Sequence, residues 1–339
     1  MDKTLKTPDD SVELNWREVI PVGAGLENKG NICYVNSVLQ CLTYTPPLTN
    51  YLLYGEHSKT CQGYAVCMMC AMEEHVKQVF CNPGRVIYPE AMLNLSGGRF
   101  KSGFMHGARR YLQFTLKALH QSYLNRCRLN GQSVGTSLVQ QIFHGYLQVT
   151  TICGECCGRV SQRYKLFQIL DLEIKKMDSI RQALTQRFQA LTQGFQAQLI
   201  SSKSCDCCCK SCKTEAIQDL PTALVISLNR SDGGKKITKF VSYPETLDMS
   251  PFMSQSSGAP EIYNLYAVLV HSGSSNRVGH FYSHVKASDG KWYLMNDISV
   301  SKSQSSLKQK AYILFYIRSP NPADVNNSPE PTSSNTGAA

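Results

Sequence analysis

Gly25-Leu26-Glu27-Asn28-Lys29-Gly30-Asn31-Ile32-Cys33-Tyr34-Val35-Asn36-Ser37-Val38-Leu39-Gln40-Cys41-Leu42 is the stretch whose reading decides the fold. The glycines and asparagines mark a turn that runs into Cys33, and from there Val35, Val38, Leu39 and Leu42 recur at helical spacing. The spacing predicts a buried helix over 33–42 with Cys33 in its first turn. Backbone amides at a helix N-terminus carry partial positive charge, which is expected to lower the thiol pKa and make a nucleophilic thiolate available. Asn28, in the same turn, carries a carboxamide that can donate to a developing oxyanion. Taken alone, such a cysteine reads as a structural residue opening a core helix, so the case for chemistry rests on partners elsewhere.

Working outward, the 339 residues are 42% apolar, enough for one large core, and a single elaborated domain is expected. The N-terminal residues are polar, without the apolar core of a signal peptide, and no later run is long enough to cross a bilayer. The expectation is a soluble, intracellular protein with no membrane insertion. In a reducing compartment the fifteen cysteines read as metal ligands where clustered and as core or nucleophile where isolated. A net charge of +10 without a basic stripe interleaved with aromatics makes no case for a specific nucleic-acid partner.

Residues 1–22 read as a polar leader that orders only at the nucleophile turn. After the helix at 33–42 comes a Pro46-Pro47 break and a short helix over 48–53. His57, Cys61, Cys67 and Cys70 follow within one loop, either zinc ligands or reduced cysteines packed under a helix. Helices are expected over 73–80 and 111–123, and strands over 139–143, 146–151 and 166–174. Cys153-Gly154-Glu155-Cys156 and Cys209-Lys210-Ser211-Cys212 are two knuckles of the kind that hold a tetrahedral structural zinc; Cys205 with Cys208 offers a second frame. Between the knuckles, Leu184 to Ala190 is nearly repeated as Leu191 to Ala197, a seven-residue period that predicts an extended amphipathic helix. Strands are expected again over 223–228, 238–241, 266–271, 280–286, 291–296 and 311–318. The Pro-, Asn- and Ser-rich tail over 319–339 lacks the apolar residues to order itself.

Among the histidines, His280 begins a strand after the polar loop Ser272 to Val278, where an imidazole can face a substrate channel, whereas His271 ends the preceding strand and shapes that loop. Asn296-Asp297 emerges from the neighbouring strand and can orient the His280 ring. Either residue can serve; Asn296 is preferred, with Asp297 in support. Cys, then His, then Asn in chain order is the arrangement of papain-like thiol proteases.

The opening stretch resembles the cysteine box of the ubiquitin-specific proteases. Tyr266 to His271, Gly279-His280-Phe281, Lys291 to Asp297 and Ala311 to Tyr316 resemble their histidine box. Thr43 to Leu48 and Tyr243 to Met249 are similar to the 17-like branch, the DUB subfamily. The resemblance, which covers roughly residues 16–318, implies an α+β, papain-like fold with a helical thumb over roughly 30–135, cysteine-tipped fingers over roughly 145–220 and a palm from the remainder of 23–318. It implies Cys33 as nucleophile, His280 as base, Asn296 as orienter, Asn28 in the oxyanion hole, and ubiquitin and ubiquitinated proteins as partners of a monomer. Gly107, Arg110, His271 and Gly279 fall at positions that face the ubiquitin tail. One structural zinc on Cys153, Cys156, Cys209 and Cys212, no organic cofactor, and residence in the nucleus, endoplasmic reticulum or cytoplasm are further expectations.

The sequence departs from the family at the thumb. Where the family has Gln-Glu/Gln-Asp-Ala-x-Glu-Phe-Leu, this chain has Met105-His106-Gly107-Ala108-Arg109-Arg110-Tyr111-Leu112, losing both acids and reversing the charge at Arg110. The Leu-Lys-Arg-Phe signature reads Leu228-Asn229-Arg230-Ser231, and the aromatic after the catalytic histidine is Phe281. Two readings stand: a deubiquitinase, weakened in seating the tail, and a non-catalytic interaction protein keeping a relic triad. The first is preferred because three separated triad positions and Asn28 all persist.

Overall fold

The computed structural model describes residues 12–55, 57–61, 66–100, 107–129, 136–153, 160–188, 199–200, 211–255, 258–276, 278–304 and 308–320. The apolar spacing after the nucleophile turn is realised in α1 (Cys33–Thr43), every residue of which is buried; β1 (Gly25–Leu26) precedes it. Pro46 and Pro47, preset in φ, occupy the first turn of α2 (Pro46–Leu53), and α3 (Met68–Cys81), β2 (Val86–Ile87), α4 (Glu90–Asn94), α5 (Ala108–Leu129) and α6 (Leu138–Phe143) complete a helical layer. Residues 139–143, expected as strand, are helical. Ser137 caps α6 by accepting from the Gln140 N–H at 3.1 Å, and Val139, Ile142 and Phe143 share a buried face at helical spacing.

Two sheets follow. The smaller has the order β4-β3-β7-β6, built from β3 (Gly145–Cys153), β4 (Val160–Phe167), β6 (Leu199–Ile200) and β7 (Ser211–Asp219). The larger starts with β5 (Leu170–Glu173), so the single strand expected over 166–174 is two strands in two sheets, parted at Gln168-Ile169. α7 (Ile180–Phe188) covers residues 184–188 of the first copy of the heptad repeat; the rest of that copy and the second, 191–197, lie outside the described residues.

The remaining strands are β8 (Ala223–Asn229), the hairpin β9 (Ser231–Asp232) with β10 (Lys235–Lys236), β11 (Thr246–Asp248), β12 (Ile262–Ser272), β13 (His280–Lys286), β14 (Trp292–Asn296), β15 (Ser299–Lys302) and β16 (Ala311–Arg318). The large sheet runs β15-β14-β13-β12-β16-β8-β5 with β11 on the edge of β12, and only β5–β8 is parallel. No strand forms over 238–241. The carbonyls of Ile237 and Lys239 instead accept from the buried Arg230 guanidinium at 3.0 and 2.9 Å, removing them from any ladder.

Because strand side chains alternate, the central strands feed two cores. Ala267, Leu269, Ile313 and Phe315 pack against α1 and its neighbouring helices, while Val268, Val270, Leu314 and Tyr316 pack on the opposite face with α7. The described part of the expected leader packs on the helices: Trp16 sits edge-on to Tyr44 and Phe80, and the Arg17 N–H donates to Asn50 Oδ1. Among the described residues no helix is long and apolar enough to cross a membrane.

Candidate active site

The turn before α1 is held by its own asparagine. Asn28 Oδ1 accepts from the Ile32 N–H at 2.9 Å, and Gly30 and Asn31 take left-handed φ values of 75° and 61° to bring the chain round. Gly25 touches Ile298 so closely that a Cβ would lie 2.4 Å from its carbonyl oxygen, so the turn and the end of β14 are locked face to face. Leu26 N–H donates to the Asp297 carbonyl at 2.8 Å, and Gln40 Nε2 donates to the Ala24 carbonyl at 3.0 Å.

His280 opens β13 and Asn296 ends β14. Ser283 pairs with Met295, so the register carries Asn296 to a position diagonal to His280 on the same sheet face. Asn296 Oδ1 lies 2.6 Å from His280 Nε2, which assigns the proton of that bond to Nε2 and leaves Nδ1 as the nitrogen with a free lone pair. Tyr282 lies beside the imidazole, ring centroids 6.3 Å apart.

Asp297 occupies the centre. It too is left-handed, at φ 48°, and its side chain is directed back at the nucleophile helix. Oδ1 accepts from Asn36 Nδ2 at 2.8 Å, Oδ2 accepts from Asn28 Nδ2 at 2.8 Å, and His280 Nε2 is 3.9 Å away. One carboxylate therefore joins the turn before α1 to α1 itself, within 3.9 Å of the imidazole. The sequence reading missed Asn36. Its signal was a polar residue one turn after Cys33 inside an otherwise buried helix, where a carboxamide must find partners.

Cys33 is at the first position of α1 and nearly sealed from solvent, 4% exposed. Burial pushes its thiol above the ordinary cysteine range; the Phe281 N–H works against this, and the Asp297 charge adds to it. The expected lowering at the helix N-terminus is thus outweighed by desolvation, and the resting group is a thiol whose proton must be moved when substrate arrives. The sign fixes a pH dependence. With the pKa raised, the thiolate fraction grows about tenfold per pH unit below that pKa. Alkylation of Cys33 by iodoacetamide, followed by peptide mass, is expected to accelerate steadily from pH 7 to 9; a plateau already reached by pH 7 would show a resting thiolate instead.

A cleft of about 430 Å³ runs between the start of α5 and the strands β5 and β8 to Phe281, next to His280. Gly107 and His271 line it. His271 is buried, stacked on Phe281 at 4.4 Å, and its pKa is brought down to about 4, chiefly by burial and further by Lys236 and His280, so it stands neutral. Gly279 lies behind that ring: a Cβ there would meet Ser272 O at 2.3 Å and His271 Nε2 at 2.4 Å. Arg110 is exposed and lies outside the cleft lining; the thumb cation that enters the cleft is Arg109. Of the zinc knuckles, Cys156 and Cys209 lie outside the described residues, while the register Cys153 to Ser211 and Ile152 to Cys212 brings the ends of β3 and β7 side by side.

His57, Cys61, Cys67 and Cys70 converge under α3, with all four ligand atoms within 4.8 Å of one another. His57 Nε2 is 3.1 Å from Cys67 Sγ. Burial acts to raise the Cys67 thiol, but the His57 ring, the Cys70 N–H and Ser122 outweigh it and bring the thiol down to about 6; burial and the neighbouring sulfurs drive Cys70 up. A tetrahedral zinc with thiolates at about 2.3 Å has ligand–ligand edges of about 3.8 Å, so this donor set fits such an ion and can hold one.

The ubiquitin carboxyl-terminal hydrolase family matches residues 24–316. The human ubiquitin carboxyl-terminal hydrolase 42 is 42% identical over 333 residues, 96% of this chain and 25% of that protein. The human ubiquitin carboxyl-terminal hydrolase 17-like protein 6 is 40% identical over 319 residues, 92% of this chain and 78% of that protein. The chain thus spans about a quarter of the length of the first of these relatives. Among solved structures, the SAGA Ubp8/Sgf11/Sus1/Sgf73 DUB module bound to ubiquitin aldehyde shares the fold, with a TM-score of 0.74, 24% identity, and coverage of 91% of this chain and 72% of that one. The helical layer, the small sheet and the large sheet carrying His280 together form the papain-like fold of the ubiquitin-specific protease type. The chain belongs to the ubiquitin carboxyl-terminal hydrolase family.

Proposed function

We propose that this chain is a thiol-dependent deubiquitinase that cleaves the bond after the C-terminal Gly-Gly of ubiquitin. The observation that carries the reading is the 2.6 Å contact between His280 Nε2 and Asn296 Oδ1, which orients the imidazole with Nδ1 free to serve as base. In this reading His280 takes the Cys33 proton, and the thiolate attacks the scissile carbonyl carbon. Asn28, whose oxygen and one amide hydrogen are committed to Ile32 and Asp297, uses its second amide hydrogen for the oxyanion. His280 then protonates the departing lysine amine, leaving a Cys33 thioester. Water, deprotonated by His280, attacks the thioester and releases the carboxylate, and the proton returns to Cys33. Asp297 positions Asn28 and Asn36 through a 2.8 Å hydrogen bond to each.

The non-catalytic alternative is disfavoured by the hydrogen bonds that join Asn28 and Asn36 to Asp297 and His280 to Asn296, with His280 Nε2 3.9 Å from the Asp297 carboxylate. Intact-mass measurement after incubation with a ubiquitin C-terminal electrophile is expected to show one adduct per chain, mapped to Cys33. Folded protein that forms no adduct would sink the reading.

We further propose a structural zinc at His57, Cys61, Cys67 and Cys70, which would supply charge neutralisation to the buried thiolates and pin the loop after α2 to α3. A second zinc at the 153/156 and 209/212 knuckles and a nuclear location remain proposals of the family resemblance.

A further inference from the structure

The cleft that reaches Phe281, whose N–H meets the Cys33 thiol, is crossed by an ion pair. Arg109, in the first turn of α5, reaches Asp171 on β5 through two parallel hydrogen bonds, Nε to Oδ1 at 2.6 Å and Nη2 to Oδ2 at 2.5 Å. Both residues line the cleft, one from each wall. Asp171 is held from behind, its carbonyl accepting from Arg187, whose other nitrogen pairs with Glu215 at 3.0 Å. Glu173, the other carboxylate lining the cleft among the described residues, is also engaged, with both oxygens accepting from Asn229 Nδ2 at 2.8 and 3.0 Å. The acids available to a cationic ligand are therefore occupied by donors of the chain itself.

We propose that Arg109 is a built-in competitor for the substrate tail: it occupies Asp171 and bars the cleft, and the basic tail of the modifier must displace it to reach Cys33. The inference rests on the deubiquitinase reading and names what limits it. Arg109 is 33% exposed and Asp171 46% exposed, so solvent screens the pair and it opens readily. A planar guanidinium seated bidentately is nevertheless specific, and while in the cleft it also repels an incoming guanidinium. Damage to tail recognition at this thumb thus includes a latch and not only the missing acids at 107 and 110.

The test uses the full chain as wild type, Arg109→Gln, Asp171→Asn and the double variant. Hydrolysis of a fluorogenic ubiquitin C-terminal amide is followed, and ubiquitin binding is titrated in the Cys33→Ala background. Arg109→Gln is expected to lower KM, and the Kd of the Cys33→Ala form, by roughly three- to tenfold with kcat within about twofold. Asp171→Asn is expected to raise both, and Arg109→Gln is expected to have no effect once Asp171 is neutral. An unchanged or weaker affinity in Arg109→Gln overturns the latch in favour of a scaffold role, and a gain that persists beside Asp171→Asn overturns it in favour of long-range charge. If no variant turns over yet Arg109→Gln still binds ubiquitin more tightly, the latch stands and the hydrolase reading fails; if no variant binds, the latch fails.

Discussion

Replacing Cys33 with alanine is expected to reduce hydrolysis of a ubiquitin C-terminal amide by at least about 10⁴-fold, a barrier increase of roughly 5 kcal/mol. The size follows from the site. In the proposed mechanism Asn28, His280 and Asn296 act on a nucleophile, and without a sulfur at 33 they can only polarise the carbonyl and activate water at a distance. The loss should be chemical and not structural. Because burial keeps the resting Cys33 a neutral thiol, its removal strands no buried charge, and the Phe281 N–H it leaves can be met by water from the cleft. The melting temperature should therefore stay within about 3 °C of wild type, the equivalent of roughly 1 kcal/mol for a domain of this size. Residual turnover within tenfold of wild type would mean that another residue attacks, and an unfolded variant would return Cys33 to the structural role that its sequence setting alone suggests.

The second large effect is expected at the other cysteine cluster. Changing Cys67 and Cys70 together to serine should remove one zinc per chain by metal analysis and lower the melting temperature by about 5–10 °C, because ligand binding energy at a structural zinc is folding energy. Cys67 and Cys70 are buried against the helical layer that presents Cys33, and His57 is sealed completely. Without the ion, the lowered Cys67 thiol and the raised Cys70 thiol stay together in a buried pocket, where a divalent cation would neutralise the thiolate charge. Equal metal content in variant and wild type would remove the assignment. A lost zinc with unchanged melting would show that the ion binds but does not hold the loop.

Much of this was legible because the informative residues carry local signals. The helix at 33–43 is written in apolar spacing after a glycine-asparagine turn, and the strands bearing His280 and Asn296 in β-branched and aromatic runs bounded by polar loops. The misreadings have local causes too. Leu138 to Phe143 offers the same apolar residues to a strand or a helix, and only the Ser137 cap and the single buried face settle it. Residues 238–241 look like a strand until Arg230 claims the Ile237 and Lys239 carbonyls. Thiol chemistry was misjudged in direction, because a helix N-terminus is visible in a sequence while the desolvation that overrides it depends on the packing of β13 over α1.

By itself the sequence determined the elements that end at Cys33, His280 and Asn296 and so offered these as candidates for nucleophile, base and orienter, since each is a residue type at the end of an element whose periodicity can be read. What only the tertiary structure decided is how those ends meet. Asp297 binds Asn28, Asn36 and the neighbourhood of His280 through contacts that span up to 269 residues of chain, and Arg109 rather than Arg110 enters the cleft because the helical phase of α5 turns one guanidinium to Asp171 and the next to solvent. Hydrophobic period and turn chemistry act over a few residues and are written locally, whereas a carboxylate's choice among distant donors is settled by packing, which no local stretch encodes.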